Sequence, residues 1–400
     1  METLYWLLGF LLPTQLGKYF FFENTYVGGL PIDFLSLKFF AVEIVILMLY
    51  SCFLFLGRVA YKKIHLISFT FISLFLLISS STSSVTLWSL VSWVVVILFC
   101  FLVIDANGSE INKLKEGLAL MGLIELFLSS YQFLLGKNLG GLAYWVGERT
   151  VSVSTANTAT VELMNIERLR AYGSFSHPNS LAGFGLVAFW ILWSKEQKIT
   201  SFRNLAALAW LACVILTFSR SAALAFVLSL LVVAFKIRFK WLLLCSVTIA
   251  ALLMILANIN IKTGEHSVDE RLIHIRASSL IIASRPIFGT GLGNFIPSAF
   301  EASKEYAFRY SYQPVHNSLI LMLSELGIVG TAVIFILSYF LFRRAQSGVY
   351  AGAISSVLVT GSFDHYWFTL VQNRLLLAMV LCLLLRDNRK RIWKTVKKLQ

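Results

Sequence analysis

The stretch Thr86–Ile104, TLWSLVSWVVVILFCFLVI, runs for nineteen residues without a charge. As a helix rising about 1.5 Å per residue it covers roughly 28 Å, close to the roughly 30 Å of a bilayer's hydrocarbon core. Working outward from it, comparable apolar stretches fall near 3–21, 38–57, 64–82, 116–136, 179–194, 203–218, 220–236, 240–259, 317–342, 347–363 and 369–386. The predicted architecture is therefore an all-α polytopic membrane protein of about 12 transmembrane helices, with residues 1–400 forming one membrane domain. The first stretch is the least regular, because Pro13, Gly17 and Lys18 interrupt it. The short alternating segments of a membrane β-barrel do not occur.

Composition agrees. The chain is 58% hydrophobic and 14% charged, with a mean hydropathy of +0.77. A soluble protein of this length has no interior large enough for that much apolar surface. The net charge of +14 does not indicate nucleic acid, since no basic stripe is interleaved with exposed aromatics. It reflects the basic loops that gather on the cytoplasmic side of membrane proteins. Cys52, Cys100, Cys213, Cys245 and Cys382 all sit in apolar runs without metal-ligand spacing and read as packing residues. The first run, Leu4–Leu12, lacks a basic leader and a small-residue cleavage site, so a retained helix is expected.

Alternating the connections between two sides sorts the charges. One side collects Arg58, Lys62 and Lys63; Lys113 and Lys115; Lys195, Lys198 and Arg203; Lys236, Arg238 and Lys240; Arg343 and Arg344; and the basic tail 387–400. That side is predicted to be the cytoplasm, with both termini on it. The opposite, outer side receives the long connections 22–36, 137–178 and 260–316, the last a large, partly helical loop before the tenth span. All prolines except Pro13 lie in these segments.

Residues able to do chemistry converge on the outer side. Within 260–316, Ser267-Val268-Asp269-Glu270 has capping-box form, and Leu272, Ile275, Ser279 and Ile282 follow at helical spacing until Arg285-Pro286 stops the helix. Such a helix can lie along the membrane surface. Next come Gly289, Gly291 and Gly293, either a tight turn or a loop whose N–H groups can approach a phosphate. Arg220 stands between two apolar spans, where it can snorkel to headgroups or hold an anionic ligand. His316-Asn317 opens a span; an imidazole suits a general base but can equally be a plain hydrogen-bonding group. Glu325 follows inside that span, where a carboxylate is either functional or a hydrogen-bonded packing residue. Arg170, His177 and Asn179 lead into one span and Asp364 caps another, each able to serve as a helix cap or a substrate contact. Capping alone does not predict that Arg170, His177, Arg220, Arg285, His316 and Asp364 should all share one side. The chain has no metal or nucleotide motif, such as D-x-D, H-E-x-x-H or a Walker A loop.

Taken together, these residues resemble the O-antigen ligase and O-antigen polymerase superfamily of bacterial membrane glycosyltransferases. The resemblance rests on Tyr172–Ala182 (YGSFSHPNSLA), Ser219-Arg220-Ser221, Arg285–Phe295 (RPIFGTGLGNF) and His316-Asn317 through Glu325–Gly330 (ELGIVG). It covers roughly residues 170–330, while the N-terminal part matches only in hydropathy. It implies a polyprenyl-pyrophosphate-linked glycan as donor, and a lipid, glycan or protein as acceptor. The family's essential residues correspond to Arg220, Arg285 and His316. Arg170, His177, Asn179, Gly291, Gly293, Asn317 and Asp364 are expected around the substrate, although relatives often carry Asn at the position of His177.

Chemistry and resemblance combine into one expectation. At the outer face of the bacterial cytoplasmic membrane, Arg220 and Arg285 stabilise the departing pyrophosphate while His316 accepts the acceptor's proton. No cofactor or metal is expected, nor any nucleic-acid partner, and the anomeric centre inverts. The competing class is a flippase for the same lipid-linked oligosaccharide, which predicts internal repeats and polar sites near the bilayer midplane. No repeated half is visible.

Overall fold

The computed structural model describes residues 1–57, 83–156, 158–193, 201–237, 239–258, 266–307, 312–342 and 348–399. The expected span 64–82, the basic residues Arg58, Lys62, Lys63, Lys195, Lys198, Arg238, Arg343 and Arg344, and the side chain of Ser267 lie outside what is described.

Helices dominate. The chain begins with α1 (Glu2–Leu11), α2 (Ala41–Phe55), α3 (Ser84–Asp105) and α4 (Gly108–Leu135). It continues with α5 (Pro178–Leu192), α6 (Ser201–Leu216), α7 (Arg220–Phe235), α8 (Phe239–Asn258) and α9 (His266–Ser284). After the short α10 (Phe295–Ala302) and α11 (Lys304–Ala307) come α12 (Ser318–Phe342), α13 (Gly348–Gly361), the single turn α14 (Tyr366–Thr369) and α15 (Val371–Leu399). Among the described residues three helices are long and apolar enough to cross a membrane, namely α3, α4 and α12 up to Tyr339. Six shorter apolar segments, in α2, α5, α6, α7, α8 and α13, accompany them. This is compatible with a polytopic membrane protein.

Two expected spans have different bounds, for local reasons. The first, 3–21, divides. α1 has ten residues, about 15 Å of helix. Beyond Pro13 the chain becomes strand β1 (Gly17–Phe20), which pairs antiparallel with β4 (Leu37–Phe40), Tyr19 standing opposite Lys38. Between them the ribbon carries the small pair β2 (Tyr26–Val27) and β3 (Leu30–Pro31). The span expected at 116–136 starts two turns earlier. Asn107 accepts from the Glu110 N–H at 2.9 Å while Glu110 accepts from the Asn107 N–H at 2.7 Å, so a capping box nucleates α4 ahead of its apolar run. Gly136, at φ +67, ends it.

α9 also differs in detail from the sequence reading. Its buried residues are Ile273, His274, Ile275, Ala277, Ser278 and Ile281, while Leu272, Ser279 and Ile282 of the expected face are only partly buried. A reading that scores only apolar side chains misplaces the stripe, because this helix turns an imidazole and a hydroxyl inward.

Packing forms two cores. The larger joins α1 to α7, α13 and α15; the smaller joins α9, α10 and α12 with Ile32 and Leu35 of the ribbon. In the larger, α1 and α4 approach backbone to backbone. A Cβ on Gly9 would lie 1.9 Å from the Leu114 carbonyl oxygen, and one on Gly117 would lie 2.0 Å from that of Trp6. The turn between α13 and α15 touches both cores, Trp367 packing in one and Phe368 in the other.

α12 is broken at Gly327, whose φ of +63 leaves the helix. The preceding loop fills the notch. Thr290 and Gly291 donate their N–H groups to the carbonyls of Ser324 and Glu325, and Ile328 and Val329 donate to those of Pro286 and Ile287. A side chain at Gly327 would meet the Ile287 oxygen at 2.3 Å, so the close approach requires glycine.

Candidate active site

The segment before α5 is held by polar residues of α4. Gln132 accepts from the N–H groups of Tyr172 and Gly173 and donates to the Gly173 carbonyl. Two turns earlier on α4, Glu125 accepts from the N–H and hydroxyl of Ser174. Gly173 fits because a Cβ there would collide with the Glu125 carboxylate. Arg170 and His177 flank this anchored stretch.

From there a polar chain crosses the end of the bundle. Arg170 Nε donates to the Thr217 carbonyl at 2.6 Å and its Nη2 to Asn179 Oδ1 at 2.8 Å. Asn179 Nδ2 donates to Asp364 Oδ2 at 3.2 Å. The other carboxylate oxygen of Asp364 accepts from the His365 N–H at 2.8 Å and lies 3.5 Å from His316 Nδ1. That last separation exceeds a normal hydrogen bond and is an electrostatic contact. His316 lies between two further imidazoles, with ring centroids 5.3 Å from His365 and 5.7 Å from buried His274.

Electrostatics follow from burial. Desolvation would raise the Asp364 carboxyl, but His316, His365 and His177 hold it well below the usual carboxylate range. Burial pulls His365 down to about 3; Asp364 opposes the shift, and His316, His177 and Arg271 add to it. Burial likewise lowers Arg170, with Tyr172 opposing and with Arg220 and Arg271 near enough to lower it further. His365 and Arg271 thus belong to this charge cluster, though sequence reasoning assigned them no role. His365 directly follows Asp364, and Arg271 lies three residues before His274 on α9, adjacencies that could have pointed to both.

The expected site residues divide into groups. Arg170, Asn179, His316 and Asp364 are linked by the contacts above, and Arg220 is coupled to them through Arg170. His177 caps α5, its Nδ1 accepting from the Asn179 N–H at 3.1 Å. Asn317 is buried as a cap of α12, accepting from the N–H groups of Leu319 and Ile320 and donating to the Ser362 carbonyl. Arg285 is exposed at the end of α9, and no contact among the described residues links its side chain to His316.

The glycine loop requires a correction. Gly291 and Gly293 were expected to offer N–H groups to substrate, yet Gly291 donates to the Glu325 carbonyl and Gly293 to the Glu325 carboxylate at 2.9 Å. Phe295 N–H also donates to that carboxylate, at 3.3 Å. The loop's donors are taken up in closing the break in α12, so the tight-turn alternative holds. Glu325 is the hydrogen-bonded anchor of that turn.

A chamber of about 190 Å³ opens beside the cluster, lined by His177, His316, Asp364 and His365 and by Tyr19, Lys38 and Arg149 of the ribbon and its neighbour. His316, Asp364 and His365 each offer one ligand atom, all within 4.8 Å of one another. That donor set could hold a transition metal, although the surrounding Arg170 and Arg271 oppose a cation.

Compared with known families, the chain matches over about a third of its length, the part that carries Arg220, the broken helix and His316. Residues 205–335 match the O-antigen ligase family. No curated protein matches the chain. The domain match supports the resemblance drawn from the motifs and, with the apolar helices, a bacterial membrane protein engaged in O-antigen ligase-type glycan transfer. It includes Arg220, Arg271, Arg285 and His316 and leaves Arg170, Asn179 and Asp364 outside. The polar chain from Arg170 to His316 therefore joins the matched segment to the flanking helices.

Proposed function

We propose that the chain transfers a glycan from polyprenyl pyrophosphate to an acceptor hydroxyl at the outer face of the bacterial cytoplasmic membrane. The observation that carries this is the His316–Asp364 pair, set among Arg170, Arg220 and Arg271 at one end of a bundle bearing an O-antigen ligase domain.

The acceptor oxygen attacks the anomeric carbon as the bond from that carbon to the pyrophosphate oxygen breaks. The bonding pair leaves with the pyrophosphate, the anomeric centre inverts, and the acceptor proton passes to His316. Asp364, facing one ring nitrogen, stabilises the imidazolium that forms and leaves the other nitrogen for the acceptor. A positioned base of this kind is worth about 10²–10⁴ in rate. Arg220, with Arg170 and Arg271 behind it, offsets the charge on the leaving group. Arg285 is assigned the same role on the resemblance alone. No step is routed through a metal.

Purified protein in nanodiscs, supplied with a polyprenyl-pyrophosphate glycan and an acceptor, is expected to give product without an energy source and in the presence of EDTA. Translocation of the glycolipid with no new glycosidic bond would instead establish the flippase. Loss of transfer in EDTA, restored by a divalent ion, would overturn the metal-free scheme and make His316, Asp364 and His365 ligands. The same assay run with lipid, glycan and protein acceptors separates ligase, polymerase and protein glycosylation.

A further inference from the structure

Two cavities meet at Lys38. One is the chamber beside His316; the other is a groove of about 440 Å³ between α2 and α3. Phe34 and Lys38 line both. The groove is walled by apolar side chains, and Ile44, Leu47, Leu87 and Val91 on its rim are each about half exposed, so among the described residues it opens toward the side of the bundle.

The polar groups near its head differ in what they have left to offer. Glu43 accepts from the Phe40 N–H at 2.9 Å, and Glu325 accepts from Gly293 and Phe295. Arg374 donates to Ser92 Oγ at 2.9 Å and lies over the Trp93 ring, while its buried Nε has no hydrogen-bond partner among the described residues. Lys38 has a weak contact to the Asp33 carbonyl at 3.4 Å and the face of Phe34 at 5.9 Å. Strand pairing fixes its place, because it stands opposite Tyr19, whose hydroxyl accepts from Arg149 at 2.9 Å. The two acids are engaged by backbone donors, and the cations retain donor capacity.

We infer that the groove seats the hydrocarbon chain of the lipid-linked donor and that Lys38 binds the phosphate at the head of that chain, on the threshold of the His316 chamber. The inference rests on the transferase reading above. An apolar channel that ends at a cation, and shares Phe34 and Lys38 with the lining of the chamber holding the proposed base, is complementary to a chain carrying a terminal anion.

The test uses the full chain in detergent, with geranylgeranyl pyrophosphate, inorganic pyrophosphate and phosphatidylglycerol as probes in native mass spectrometry. A charge-assisted contact is worth about tenfold or more in affinity. Lys38→Gln is expected to weaken geranylgeranyl pyrophosphate by at least about that factor, with Lys38→Arg recovering most of it. Val91→Trp, which narrows the groove at an exposed position, is expected to weaken the isoprenyl ligand and leave inorganic pyrophosphate unchanged. Parent-like binding by both Lys38→Gln and Val91→Trp overturns the assignment, as does equal competition by phosphatidylglycerol. In the transfer assay, an unchanged donor KM in both variants removes the groove and spares the transferase. A parent that binds isoprenyl pyrophosphate through Lys38 yet joins no glycan removes the transferase and spares the lipid-phosphate site.

Discussion

An imidazole facing a buried carboxylate at 3.5 Å, with arginines around both, makes separable predictions for each group. Replacing His316 with Ala is expected to lower transfer by about 10²–10⁴-fold with the donor KM little changed, since the base acts on the proton and not on the lipid. Asp364→Asn retains shape and a hydrogen-bonding group but removes the charge. It should cut kcat strongly while leaving the donor KM little changed, a split that a merely structural role would not produce. His365 gives the sign of a stability effect. Its folded pKa, about 3, lies below the ordinary value near 6.5, so between those pH values the unfolded chain takes up a proton that the folded one refuses. The stability it contributes is fully present above about pH 6.5 and is lost as pH falls, at up to about 1.4 kcal/mol per pH unit. Melting temperature in detergent should therefore drop on going from pH 7 to pH 5, and His365→Asn should flatten that dependence.

Among the elements, α12 is the most constrained. Gly327 combines a left-handed φ with an approach to Ile287 that admits no Cβ. Gly327→Ala should cost on the order of 1–3 kcal/mol from its backbone angle alone, with the clash adding to that, read as a lower melting temperature and lower yield. Glu325→Gln retains one acceptor oxygen for two N–H donors, so a smaller loss is expected from it than from Glu325→Ala. Sequence reading found the glycines, the carboxylate and the proline stop, all within a few residues of their places. It did not foresee that glycines and carboxylate bind each other, because spacing along a chain carries no information on which distant backbone fills a helix break. The inward imidazole of α9 was missed for a related reason: hydropathy counts a histidine as polar and cannot tell a buried one. By contrast, the capping box at Asn107 was legible in principle, and following it would have started α4 correctly.

For the whole molecule, the apolar runs conveyed the fold class because a bilayer's thickness demands about 20 residues of helix and few other proteins need so many. They failed at 3–21, where Pro13 and a strand pairing partner near Phe39 divide what hydropathy had merged. The side on which each end lies remains an expectation from charge, and cysteine labelling can decide it. Single cysteines placed at Met164, an exposed hairpin tip, and at Lys398 should react with a membrane-impermeant maleimide from opposite sides of the cell membrane. Labelling of both from outside would reverse the orientation argument. The notch in α12 also bears on how a bulky glycan reaches the chamber. Four main-chain hydrogen bonds pin the loop 286–291 to that helix, and each would be left bare in an apolar setting, at several kcal/mol apiece, if the loop swung away. The wall bearing α12 is thus a fixed jamb. Any door must hang on another part of the rim.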